Sequence, residues 1–271
     1  MKKWLLLAFS VIFAIVVAAC GNQEPANEEA TNKTKVLKVG ATQVPHAEIL
    51  NYVKPLLKKQ GVDLQVQVFQ DYVLPNKAVE EGQLDANFFQ HIPWLETTNK
   101  ENGYHLTKVT GVHIEPMGVY SQQVKDKANI PAGATIAVPN ATSEITRALL
   151  LLHANDVIKL DNTTGEKTAK NIVSNPKNIE IKPLEPAMLP RVLDQVDLAV
   201  INTNYALQAN LSPLQDALFI ENEKSPYVNV LATRQGKETD DRIKKLAEVL
   251  HSEEVKKFIH DNYKGAVVPA F

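Results

Sequence analysis

Apolar and polar positions divide this chain into an apolar head, a polar stretch and a long patterned remainder. Trp4 to Ala19 is apolar apart from Ser10 and follows Lys2 and Lys3. Gly21 to Lys35 is rich in Asn, Glu, Thr, Ala and Lys and has no apolar period. From Val36 the pattern becomes regular. Val36–Gly40 reads as a strand, and Pro45 to Lys59 as a helix that Gly61 ends. Leu64, Val66 and Val68 alternate with polar residues, the period of two of a half-buried strand. A short helix over Pro75 to Glu81, a strand over Leu84 to Phe88, a helix from His91 to Asn102 and an extended run from Leu106 to Tyr120 follow. The order predicts an α/β layer with largely parallel strands.

The pattern then restarts. Thr135 to Val138 reads as a strand, and Asn140 to Ser143 as a polar turn before a helix over Glu144 to Asn155. In that helix Ile145, Ala148, Leu149 and Leu152 fall at i, i+3, i+4 and i+7. Short strands at Ile179–Ile181, Asp197–Ile201 and Tyr227–Thr233 and a helical turn at Leu189–Leu193 complete the series. A long helical region closes the chain, with Ile243, Leu246, Ala247 and Leu250 on one stripe, continued by Val255, Phe258 and Ile259. Two α/β series predict two lobes: residues 36–120 plus 222–271, and residues 121–221.

The apolar head changes the picture most. A lysine pair, an apolar run, then Val17-Ala18-Ala19 before Cys20 is the pattern of a secretory signal peptide over residues 1–19, in its lipoprotein form. Cys20 would receive the lipid and become the first residue, and residues 20–35 would form a tether. An uncleaved anchor needs about 20 apolar residues, more than this run supplies. The protein is expected on the extracytoplasmic face of a cell membrane, held by lipid alone. Cys20 is the only cysteine among 271 residues, so its lipidation excludes disulfides, a thiol nucleophile and cysteine metal sites. The net charge of −2 gives no basic surplus for nucleic acid. Hydrophobic residues make up 44% of the chain, enough for a core.

Catalytic and phosphate-binding motifs are not found: no G-x-S-x-G, Walker loop, G-x-G-x-x-G after a strand, or H-E-x-x-H. The seven histidines include no pair with metal-ligand spacing on one helix face. No enzyme activity, cofactor or metal is expected, and a monomer that binds a small molecule in the crevice between lobes is. Only 6% of the chain is aromatic, so Tyr72, Phe88, Phe89 and Trp94 lying so close together mark a candidate wall for an apolar or thioether group. Core packing is the competing reading, strongest for Phe88. His91 is read either as a ligand donor or as a helix cap. Arg147, one turn into an apolar helix, is suited to gripping a carboxylate, or to pairing with Glu144 at i−3. Asn202 after a buried strand and Asn229 inside an apolar run carry both donors and acceptors.

At these residues the chain resembles the methionine-binding (NlpA-type) lipoproteins, the substrate-binding subunits of ABC importers. The matching stretches are Asp71–Asn76, Asp85–His91, Ala137–Asn140, Arg147–Leu152, Ala199–Thr203 and Ser225–Asn229. The resemblance implies a type-II periplasmic-binding-protein fold whose two α/β lobes close on an amino acid. It implies that Tyr72, Phe89, His91 and Trp94 enclose a methionine side chain. It further implies that Arg147 pairs with the α-carboxylate and that Asn202 and Asn229 bond the amino and carboxylate groups. Two positions depart from the pattern: Trp94 stands where Tyr is usual, and Glu144 replaces an Asn expected near the ligand backbone. The alternatives to methionine are a methionine-containing dipeptide, D-methionine or another apolar amino acid. An exported hydrolase and an adhesin-type lipoprotein are the readings from other classes.

Overall fold

The computed structural model describes residues 35–222 and 225–271. The apolar head, Cys20 and the tether through residue 34 lie outside the described residues. Lys35, expected at the end of the tether, is the first residue of a strand.

Strand β1 (Lys35–Thr42) leads through a turn into helix α1 (Glu48–Lys59) and then β2 (Val62–Phe69). Helix α2 (Leu74–Glu80), β3 (Ala86–His91), α3 (Ile92–Asn102) and β4 (Leu106–Ile114) follow. The chain crosses to a second sheet at β5 (Gly118–Tyr120), which β6 (Thr135–Pro139) and α4 (Thr142–Ala154) follow. A two-stranded ribbon of β7 (Lys159–Leu160) and β8 (Ile172–Ser174) precedes β9 (Glu180–Leu184) and β10 (Leu198–Ile201). Helices α5 (Thr203–Gln208) and α6 (Pro213–Asp216) and strand β11 (Ala217–Ile220) complete this part. The chain returns with β12 (Val228–Arg234), α7 (Asp241–Leu250), α8 (Glu253–Tyr263) and β13 (Val268–Pro269). The first sheet has the order β13-β4-β12-β3-β1-β2, and the second β11-β5-β10-β6-β9.

Several expectations are corrected. The strands are not largely parallel throughout. In the first sheet β1 pairs parallel with β2 and β3, whereas β12 runs antiparallel to both β3 and β4, and β13 antiparallel to β4. The return of the C-terminal segment as a hairpin-like insertion between β3 and β4 has no local signature. The extended run from Leu106 to Tyr120 is two strands in two different sheets, separated at Glu115-Pro116-Met117. Pro116 has no N–H to continue a ladder. The strand expected at Leu84–Phe88 runs from Ala86 to His91, which carries Gln90 and His91 to its end. The turn at Leu189–Leu193 belongs to a 3₁₀ segment over Pro186–Val192. The closing helical region is two helices, because the Ser252 side chain accepts from Val255 N and starts α8 anew.

Each sheet packs on its own apolar cluster. One contains Leu37, Val39, Phe88 and Leu231 with the buried stripe Ile49, Leu50, Val53 and Leu57 of α1. Another contains Ile136, Val138, Leu149, Leu152 and Val200. Phe88 is completely buried in the first cluster, the core role expected of it. Packing is tight at Gly40 in β1, where an added Cβ would sit 2.7 Å from Leu84 Cδ1 and 3.0 Å from Phe69 Cε2. Gly40→Ala is expected to lower stability by about 1–3 kcal/mol through overpacking. Denaturant unfolding with an unchanged midpoint would contradict this.

Candidate functional site

The carboxyl ends of strands in both sheets face a common cavity, and local chemistry sets what each presents. After β2, Asp71 Oδ1 accepts from the backbone N–H groups of Val73 and Leu74, both at 2.8 Å, an Asx turn that fixes Tyr72. At the end of β3, Phe89, Gln90 and His91 are all buried. His91 is also the cap of α3, its Nδ1 accepting from Trp94 N at 3.1 Å, which sets the first helical turn and with it Trp94. From the second sheet, β10 ends at Ile201 and delivers Asn202, Thr203 and Asn204 at the start of α5. Helix α4 contributes Glu144 and Arg147 from its first two turns. Asn229 enters from β12.

These groups line one cavity, with about 340 Å³ of space between them that is partly open to solvent. The lining contains Tyr72, Phe89, His91, Trp94, Glu144, Arg147, Asn202 and Asn229, so every residue singled out in the sequence as a ligand contact reaches the same cavity. Tyr72, Phe89 and Trp94 form the apolar wall, with ring centroids 5.9 Å apart for Tyr72–Phe89 and 5.4 Å for Tyr72–Trp94.

The two sides of the cavity are tied together. Tyr72 Oη donates to Asn204 Oδ1 at 2.6 Å, and Tyr205 Oη to the Gln70 carbonyl at 3.1 Å. His91 Nε2 contacts Glu144 Oε1, and Asn202 Nδ2 donates to Glu144 Oε2. Glu144 is 1% exposed. Burial alone would push its carboxyl up, but the His91 contact, Arg147 and the Asn202 amide outweigh it and hold it at about 2. Glu144 therefore remains a carboxylate.

Arg147 does not pair with Glu144 as the sequence allowed. Its Nε donates to Glu221 Oε1 at 2.8 Å and its Nη2 to Glu221 Oε2 at 2.6 Å, a bidentate pair. Nη2 also donates to the Glu115 carbonyl at 2.7 Å, and the guanidinium lies 4.3 Å from the Tyr227 ring centroid. Burial would lower the guanidinium pKa, but Glu221 raises it further. Met117 N donates to the same Glu221 carboxylate at 3.0 Å. Arg147 and Glu221 thus fasten the two segments that connect the sheets.

Two cavity groups beyond the sequence reading stand out, Glu115 and Asn204, and Glu221 stands behind Arg147. Glu115 is 5% exposed and completes a buried trio with His46 and His113. Glu115 Oε1 lies 2.7 Å from His113 Nε2 and 3.1 Å from His46 Nε2, which is also 3.2 Å from Asn229 Oδ1. Burial pushes His46 down to about 4, against the opposing pull of Glu115, and pushes His113 down to about 3. The rings are neutral near pH 7, so two imidazole N–H groups can hold the carboxylate and, through His46, position Asn229. Among the described residues this group places one ligand-type atom from each of its three side chains within 4.8 Å of one another, and its two Nε2 atoms already face Glu115. The signal available in the sequence was a His-x-Glu pair just before Pro116, His113 and Glu115 flanking Ile114. Its partner His46 is far away in the chain, and helix-face spacing could not find it.

Some buried polar atoms of the lining have no partner: Trp94 Nε1, Asn202 Oδ1 and Asn204 Nδ2. Each costs about 1–3 kcal/mol unless satisfied. Donors and an acceptor orphaned around an apolar wall are suited to an amphiphilic small molecule.

A protein-family model described as NlpA lipoprotein matches residues 37–271. The chain is 44% identical over 275 residues to the methionine-binding lipoprotein MetQ of Bacillus subtilis, covering 99% of each chain. A nutrient-binding protein from Burkholderia cenocepacia, solved bound to methionine, is 44% identical with a TM-score of 0.84, covering 87% of this chain and 100% of that one. An ABC transporter periplasmic substrate-binding protein from Coxiella burnetii is 39% identical with a TM-score of 0.83, covering 86% and 100%.

Proposed function

Because this chain belongs to the NlpA lipoprotein family, we propose that it captures methionine outside the cytoplasm and delivers it to an ABC importer. The observation that carries this reading is the cavity itself. Its aromatic wall of Tyr72, Phe89 and Trp94 faces a polar end built from Arg147, Asn202, Asn229 and Glu144. A thioether side chain fits the first, through sulfur–ring contacts worth about 0.3–1.5 kcal/mol each. An amino-acid backbone fits the second. Relatives of this fold are named as methionine-binding and as ABC-transporter substrate-binding proteins.

The two sheets are the cores of two lobes in this reading, with β5 assigned to the second lobe because it pairs with β10 and β11. The lobe boundaries then lie near residues 115–117 and 221–222. Opening and closing about these segments admits and buries the ligand. Lipidation at Cys20 holds the monomeric receptor at the membrane, where tethering raises its effective concentration beside the importer. The relatives are binding proteins, and no catalytic step is assigned to this cavity.

Calorimetry on ligand-free protein with L-methionine tests the proposal, with D-methionine, other apolar amino acids and methionine dipeptides as comparisons. Saturable 1:1 binding of L-methionine stronger than that of the other apolar amino acids is expected. Heat of binding for another class alone would reject the methionine assignment while leaving a solute receptor.

A further inference from the structure

The guanidinium at the polar end of the cavity is already engaged. Arg147 is the guanidinium of the lining, and Glu221 already neutralises it through two hydrogen bonds. Glu115 has the two imidazoles of His46 and His113. Glu144 is left with Asn202 Nδ2 and the ring of His91. His91 Nδ1 accepts from Trp94 N, which leaves Nε2 to face Glu144. Glu144 is thus a buried carboxylate bonded by the His91 ring and the Asn202 amide, while the nearby guanidinium is bonded to Glu221 instead. Next to it Asn202 Oδ1 is a buried acceptor without a partner. Two acceptors, one of them a carboxylate, converge here.

We propose that Glu144 and the amide oxygen of Asn202 form a seat for an ammonium group, and that a free protonated amine, more than the α-carboxylate, is the feature this site selects in its ligand. An ammonium supplies a positive charge and up to three donors for these acceptors. The carboxylate gains less, since it meets a guanidinium whose charge is already matched and whose Nε and Nη2 are engaged. Uncharged carboxyl derivatives, such as amino-acid amides, are therefore within the ligand class, and N-acylated or deaminated compounds are outside it. This rests on the reading of the ligand as methionine or a related amino compound.

The test is calorimetry of the purified protein and its Glu144→Gln variant with L-methionine, L-methioninamide, N-acetyl-L-methionine and a panel of amides of other apolar amino acids. In the unaltered protein the amide is expected within about tenfold of methionine, and the N-acetyl compound at least about thirtyfold weaker, the loss typical when a buried charge loses its partner. In Glu144→Gln, methionine and methioninamide should both weaken by at least about tenfold, and the penalty for N-acetylation should shrink. Thermal unfolding confirms that the variant is folded. If methioninamide binds more weakly than N-acetylmethionine, or Glu144→Gln leaves methionine affinity unchanged, the ammonium seat is refuted while the methionine reading stands. If methionine does not bind but another free amine does, and Glu144→Gln abolishes it, the ammonium seat holds and the methionine reading falls. Absence of binding by every amine overturns both.

Discussion

Replacing Arg147 by alanine is expected to cost about 3–5 kcal/mol of stability, the range for removing one partner of a buried ion pair. The guanidinium is 3% exposed and the Glu221 side chain 11%, so Glu221 would be left nearly buried without a counter-charge. The Glu115 carbonyl and the Tyr227 ring would lose their contacts as well. Ligand affinity should fall too, because the carboxylate of Glu221 would repel that of an amino acid. A double-mutant cycle isolates the pair. The double variant Arg147→Ala with Glu221→Ala should be less destabilised than the sum of the singles, because no orphaned charge remains. Additive losses in chemical denaturation would show that Arg147 acts by packing alone. Unchanged methionine affinity in Arg147→Ala would remove it from the binding site.

A steep loss of stability is expected as the pH falls below about 6.5. His46 and His113 have ordinary values of 6.5, and burial takes them to about 4 and about 3 in the folded protein. Between those values the unfolded chain binds more protons, so acid favours unfolding. The stability these rings contribute is complete above about 6.5 and declines as the pH falls toward 4 and then 3. Glu144 extends the same limb: its ordinary value is 4.5 and its folded value about 2, so its contribution is present above 4.5 and is lost toward 2. Glu115 has the opposite sign, since burial raises its carboxyl and favours the folded state as protons are added. The shifts of His46 and His113 together are worth on the order of several kcal/mol, and Glu115 opposes them. Thermal midpoints measured between pH 7 and pH 4 should fall steadily, and His113→Phe should flatten the slope. A profile that is flat across this range would refute the account.

Much of the site was legible because its residue types are conspicuous against their surroundings. Aromatic residues are scarce in this chain, so Tyr72, Phe89 and Trp94 stood out, and the cavity gathers all of them. Arg147 in an apolar helix and Asn202 after a buried strand stood out for the same reason. What they touch was not legible. Arg147 and Glu144 are one turn apart on α4, which made their pairing the natural local guess. Their actual partners, Glu221 and His91, lie 74 and 53 residues away. Glu115 and His46 went unnoticed because each is ordinary in its own segment and unusual only beside the other.

The sequence by itself determined the elements, the two α/β series, the export and lipidation pattern around Cys20 and the residue types of the cavity. Those follow from periodicity and composition, which are local. The tertiary structure decided which strands are neighbours: β12 returns between β3 and β4, and β5 leaves the run it continues to join β10 and β11. It also decided how charges are shared at the polar end. Burial makes every charge there require a partner, and the partners are brought by chain crossings that no short window contains. Arg147 is consequently matched by Glu221, and Glu144 is held by His91 and Asn202.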